Sequence, residues 1–99
     1  MLRHIVAWDL QDGLTDGEKR AHAETIKSEL EALNQHIDEI VELHVYIDLL
    51  SFSNRDIVLD SLFESEAALA AYQVHPEHQR AAGIVKALTQ NRVCVDYFV

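Results

Sequence analysis

The chain contains one cysteine, Cys94, so no disulfide can form within it. A lone thiol in a strand-like segment reads as a small buried hydrophobe rather than a nucleophile. Proline occurs once, at Pro76, and the three glycines, Gly13, Gly17 and Gly83, stand apart from one another. That pattern excludes a glycine-rich phosphate loop and any low-complexity linker. Basic residues are also few: 8 Lys and Arg face 17 Asp and Glu, a formal net charge of -9. They are scattered from Arg3 to Arg92 without a cluster, so the field repels polyanions and no nucleic-acid partner is expected. No apolar run approaches the roughly 20 residues of a membrane helix. The start, Arg3-His4 followed by Ile5-Val6-Ala7-Trp8-Asp9, is not a signal pattern. A soluble cytoplasmic protein without a membrane partner is the expectation.

What is present is apolar. Hydrophobic residues make up 48% of the 99 positions. This length supports one domain, residues 1–99. A chain this short buries only about 60–70% of its unfolded surface, so so much apolar content points to self-association.

Periodicity lays out the elements. Leu2 to Leu10 reads as a first strand, followed by turn chemistry at Gln11-Asp12-Gly13. Thr15 and Glu18 are spaced as a capping box, which starts a helix running from about Asp16 to Leu33. Its apolar stripe is Ala23, Ile26, Leu30 and Leu33. A second strand spans Ile40 to Leu49, a loop spans Leu50 to Arg55, and a third strand covers Asp56 to Phe63. Ser65 is a candidate N-cap for a helix over Glu66 to Val74. Pro76 suits the first turn of another helix, ending near Thr89. Asn91 to Val99 is the last strand. The order β-α-β-β-α-β is that of a ferredoxin-like α+β fold, its second helical region in two pieces.

Such a fold covers one sheet face with helices. A half-solvated strand should then alternate apolar and polar residues. Here the first strand carries His4, Val6, Trp8 and Leu10 on one face, and Ile5 and Ala7 on the other. The third strand is also apolar on both faces. A second copy of the chain is the simplest cover, which gives a homodimeric α/β barrel built through the open sheet face.

The chemistry-bearing residues cluster in Ala71-Tyr72-Gln73-Val74-His75-Pro76-Glu77-His78. Tyr72, His75 and His78 are three residues apart, and Pro76 divides a helix end from a helix start. His78 in the first turn of the new helix is suited either to act as a base beside a pocket or to bond a nearby backbone group. His75 precedes proline and is read as fixing the helix start. Tyr72 lies on a face with Ala68 and Leu69, so its ring belongs to the core. If buried, its hydroxyl needs a partner. His4 shares a face with Val6 and Trp8, as a satisfied core histidine or as a site residue. Asp9, Asp60 and Asp96 form a second candidate group. On the open face they would bind a cation or pair with Arg3 or Arg92 of a dimer mate. The histidine and cysteine spacing carries no zinc pattern, so no metal or cofactor is expected. His22, His36 and His44 read as surface residues.

The chain resembles the stress-responsive A/B barrel (Dabb) family over nearly its whole length. The resemblance rests on His4-Ile5-Val6, on Phe63-Glu64-Ser65-Glu66-Ala67, on the Tyr72-to-His78 segment, and on Val95-Asp96-Tyr97-Phe98-Val99. It implies a homodimeric ferredoxin-like barrel. It also implies a mechanistic guide in the plant family member that closes a linear polyketide thioester to olivetolic acid by a metal-free aldol step. That member's site residues fall on Tyr72, His78 and His4. The chain departs from it at Ile57, where the cyclase has a histidine. It departs again at Ala23, Ile26 and Lys27, where the cyclase has pocket-lining aromatics. Two functions follow. One is a small-molecule-binding protein with a hydrophobic ligand, acting as a cofactor-free lyase or cyclase through His78 and Tyr72. The other is a non-catalytic stress-response dimer. A pocket of several hundred Å3 reaching Tyr72 and His78 favours the first. A core filled by Trp8, Leu30 and Phe63 favours the second.

Overall fold

A computed structural model describes all residues, Met1 to Val99. The element order is β1 (Leu2–Leu10), α1 (Asp16–Glu31), a 3-10 turn (Ala32–Gln35), β2 (Ile40–Tyr46), β3 (Ile57–Phe63), α2 (Glu66–Val74), α3 (Pro76–Leu88) and β4 (Thr89–Phe98). The strands form one antiparallel sheet in the order β2-β3-β1-β4. This is the ferredoxin-like α+β arrangement that the element order implied.

Local chemistry sets the boundaries. The turn after β1 has Gly13 at φ 82°, a left-handed conformation that glycine takes without steric cost. Thr15 Oγ1 accepts from the Glu18 N–H at 3.1 Å while the Glu18 carboxylate accepts from the Thr15 N–H at 3.0 Å, completing the capping box. Ser65 caps α2 by accepting from the Ala68 N–H. Several boundaries differ from the sequence reading; β4, for one, begins at Thr89 rather than Asn91. The last turn of α1 tightens to 3-10 geometry over Ala32–Gln35, as helix ends commonly do. β2 stops at Tyr46 rather than Leu49, because the chain leaves the sheet and Asp48 pairs with Arg20 of α1 at 2.6 Å.

One sheet face packs against the helices. β1 alternates strictly, with Leu2, His4, Val6, Trp8 and Leu10 buried; β3 does the same with Ile57, Leu59, Ser61 and Phe63. Ile26, Leu30 and Leu33 close the core from the helical side. The other face is open. Ile5, Ala7, Val58 and Leu62 are half-buried there, and Val95 and Tyr97 stay exposed beside them.

The sheet's two edges differ. The β2 edge is occupied by groups from the first helical region. The Val45 N–H donates to Glu31, the Val45 carbonyl accepts from Lys27 Nζ at 2.6 Å, and the Leu43 carbonyl accepts from Asn34. That covering prevents edge-to-edge pairing. Every residue from Asn91 to Val99 is exposed, so β4 is the uncovered edge.

The tertiary structure overturns three sequence expectations. Residues directly opposite on paired strands share a face. Asp60 lies opposite Ile5 on the open face, whereas Asp96 lies opposite His4 on the helical face, so the three aspartates do not converge. Asp60 pairs with Arg3 of its own chain at 2.8 Å, and Asp9 accepts from Asn91 Nδ2. Cys94 is exposed rather than buried, because β4 is an edge strand. His22 is half-buried, with its Nδ1 enclosed and unpartnered, while His36 and His44 are exposed as expected.

Candidate functional site

The corner between α2 and α3 sets the geometry. His75 is extended, with φ -63° and ψ 135°, as a residue before proline must be. Its Nδ1 accepts from the Glu77 N–H at 3.1 Å, so His75 caps α3 and its side chain is committed to that role. Tyr72, in the last turn of α2, is 1% exposed and packs on Phe63 with ring centroids 4.9 Å apart. His78, in the first turn of α3, lies against Tyr72 at 4.4 Å between centroids. His4 reaches the same place from β1, 6.4 Å from Tyr72.

Hydrogen bonds assign the protons. His78 Nδ1 lies 3.1 Å from the Gln73 carbonyl oxygen, which only accepts, so Nδ1 is the donor. When neutral, His78 therefore keeps its basic lone pair on Nε2. His4 Nδ1 donates to the Asp96 carboxylate at 2.5 Å, which fixes its tautomer and ring orientation in the same way. Ser61, fully buried beside it, donates to the His4 carbonyl at 2.8 Å.

Electrostatics set the charge states. Burial pulls the His78 pKa below its ordinary value. The Gln73 bond opposes that, and the nearby His4, Arg92 and His75 add to it. His78 is thus a neutral base near pH 7. Burial pushes the Tyr72 phenol well above its usual range, with only a small opposing pull from Arg92. The Tyr72 hydroxyl therefore stays protonated, as a hydrogen-bond donor.

These groups line a cavity of about 440 Å3. Val6, Trp8, Leu30, Leu59 and Val85 form its apolar wall, and His4, Tyr72 and His78 contribute the polar atoms. Trp8 and Leu30 border this space rather than filling it. Its mouth is formed by Lys86, Asn91 and Arg92, all exposed.

A bulge shapes that mouth. Ala7 pairs with Val93 and Asp9 with Gln90, so two steps along β1 match three along β4. Asn91 takes the left-handed conformation that such a bulge requires, at φ 55°. Its side chain donates to Asp9, its carbonyl accepts from Arg55 Nε, and Gln90 Nε2 donates to the Leu10 carbonyl. The bulge leaves Arg92 facing the cavity beside Gln90 and Asn91.

All three residues singled out from the sequence, His4, Tyr72 and His78, thus meet at one cavity. Sequence reading missed Asp96 as the partner of His4, and Lys86 and Arg92 as the rim. Asp96 was legible in principle, since an antiparallel register between the first and last strands sets it opposite His4. It also missed a trio that the fold assembles: His4 Nδ1, Cys94 Sγ and the Asp96 carboxylate lie within 4.8 Å of one another. These are donor types that a transition metal accepts. In the structure, however, His4 and Asp96 bond each other. Burial, then the Asp96 charge, raises the Cys94 pKa, so the thiol keeps its proton near neutral pH.

The fold and site define a ferredoxin-like α+β protein with an internal polar-apolar pocket. The family model "Stress responsive A/B Barrel Domain" matches residues 2–99, and the chain belongs to that family. It is similar to a dimeric ferredoxin-like protein of unknown function from Bacteroides fragilis. That match has 31% identity, covers 97% of this chain and 93% of the other, and has a TM-score of 0.88. A dimeric ferredoxin-like protein of unknown function from Thermobifida fusca is 27% identical over 99% of this chain and 90% of its own, with a TM-score of 0.83. A hydroxynitrile lyase from Passiflora edulis shares the fold at 18% identity and a TM-score of 0.81, covering 99% and 92% of the two chains. No curated protein matches the chain. No helix is long and apolar enough to cross a membrane.

Proposed function

We propose that the chain is a homodimeric small-molecule-binding protein whose pocket performs metal-independent acid–base chemistry of the lyase or cyclase type. The observation that carries this reading is the cavity of about 440 Å3 bordered by His4, Tyr72 and His78. Its size falls within the range of small-molecule sites. His78 Nε2 is the base that removes a proton next to a carbonyl. The Tyr72 hydroxyl donates to the oxygen on which the resulting negative charge collects. The His78 imidazolium formed in that step returns the proton at the end, and His4, oriented by Asp96, borders the same cavity as a second polar group. The hydrophobic wall excludes water and receives an apolar ligand.

Dimerisation through the open sheet face is supported by two observations. Relatives at 31% and 27% identity are described as dimeric. On this chain, Val95 is 57% exposed and Tyr97 47% exposed on that face.

The test is deuterium exchange in D2O at the carbon between the carbonyls of acetylacetone, followed by proton NMR. The wild type should accelerate exchange over buffer. His78→Ala should abolish the acceleration while leaving the fold intact by circular dichroism, and Tyr72→Phe should reduce it about 10²- to 10⁴-fold. Equal exchange with the wild type and with His78→Ala would instead support the second reading, a non-catalytic dimer that keeps the cavity as a family feature.

A further inference from the structure

The charge around the cavity runs opposite to the charge of the chain. The protein carries 17 acidic and 8 basic residues, yet none of the 14 residues lining the cavity is acidic, and two are Lys86 and Arg92. Carboxylates outnumber cations two to one, so a cavity lined by two cations and no carboxylate runs against the composition of the chain. Arg3, Arg20, Lys27 and Arg80 all pair with carboxylates. Lys86 and Arg92 do not, nor do Lys19 and Arg55, but of these four only Lys86 and Arg92 line the cavity, where no carboxylate stands.

Arg92 is not there by chance of rotamer alone. The Asn91 bulge adds one residue to β4, and the register beyond it sets Val93 opposite Ala7 and Cys94 opposite Val6. Cys94 and Arg92 therefore alternate on the helical face, where the cavity lies. The charge of Arg92 reaches both Tyr72 and His78. A guanidinium at the lip of an apolar pocket is suited to a planar oxyanion, and the low-polarity walls strengthen the attraction.

We propose that the ligand of this cavity is a small amphiphile with an apolar body and a carboxylate or phosphate head. The body lies against Trp8, Leu30 and Leu59, and Arg92 and Lys86 hold the head at the mouth. This assignment rests on reading the cavity as a small-molecule site, but not on its being catalytic.

Calorimetry with octanoate, octyl phosphate and 1-octanol tests it. Both anions, or one of them, should bind at least about tenfold more tightly than the alcohol. The preferred head distinguishes a free carboxylic acid from a phosphate-bearing ligand. Adding salt should weaken the anions and leave 1-octanol unchanged. The double variant Lys86→Gln/Arg92→Gln should lose the preference for the anion and retain 1-octanol. Both residues are exposed, so the variant should fold, which a thermal melt checks. The proposal is overturned by equal binding of alcohol and anions, by an anion preference that survives the double variant, or by no binding of any probe. In the wild type, anion preference without accelerated proton exchange sinks the catalytic reading alone, and accelerated exchange without anion preference sinks this one alone.

Discussion

Replacing Asn91 tests how the cavity mouth is built. Asn91 sits at φ 55°, where a residue with a Cβ is strained by about 1–2 kcal/mol and a β-branched one fits worst. Asparagine tolerates the position, and here its side chain also bonds Asp9 at 3.0 Å. Asn91→Gly removes the strain and that exposed bond together. The two effects nearly cancel, leaving a change within about 0.5 kcal/mol. Asn91→Val loses the bond and takes on the strain, so it should be about 1–2 kcal/mol less stable than Asn91→Gly. In a domain of this size, each kcal/mol moves the melting temperature by about 4–8 °C. The gap between the two variants should then be roughly 4–16 °C, measured by circular dichroism at one fixed protomer concentration. Where valine instead expels the bulge, β4 slips by one residue and Arg92 turns to the other face, so the anion preference of the cavity disappears. Equal melting temperatures for the valine and glycine variants, with unchanged octanoate binding, would refute the bulge argument.

Two further outcomes follow from the structure. Val95→Asp places a charge on the exposed apolar sheet face; sedimentation at micromolar concentration should show a dimer for the wild type and a monomer for the variant, and a dimer in both would remove the open face from the interface. His78 should titrate by NMR below its ordinary value of about 6.5, because burial disfavours the imidazolium. Below that ordinary value the unfolded chain takes up this proton before the folded one does. The contribution of His78 to stability is therefore lost as pH falls from about 6.5 through the folded-state pKa, and proton-exchange activity falls over the same acid window. In His78→Ala this part of the pH dependence should vanish, and an unchanged acid limb would assign it to another group.

Local structure and the family are legible in the residues alone. The capping box at Thr15 and Glu18, the cap at Ser65 and the break at Pro76 depend on neighbours a few residues apart, so they are legible in one dimension. So was the two-sided apolarity of Ile5, Ala7, Val58 and Leu62, because strand residues alternate faces whatever the partner strand is. The convergence of Tyr72 and His78 also followed from their spacing across one helix corner. Tertiary structure decided what depends on register. A strand pairing fixes which face each residue of β4 takes, and one extra residue at Asn91 sets the step between Thr89 and Arg92. No local pattern reveals that step. It is why Asp96 groups with Asp9 and Asp60 by spacing yet holds His4 in the fold, and why Cys94 reads as buried although it stands on an open edge. It is also why Lys86 and Arg92 are scattered letters in the sequence and meet at the rim of a single pocket.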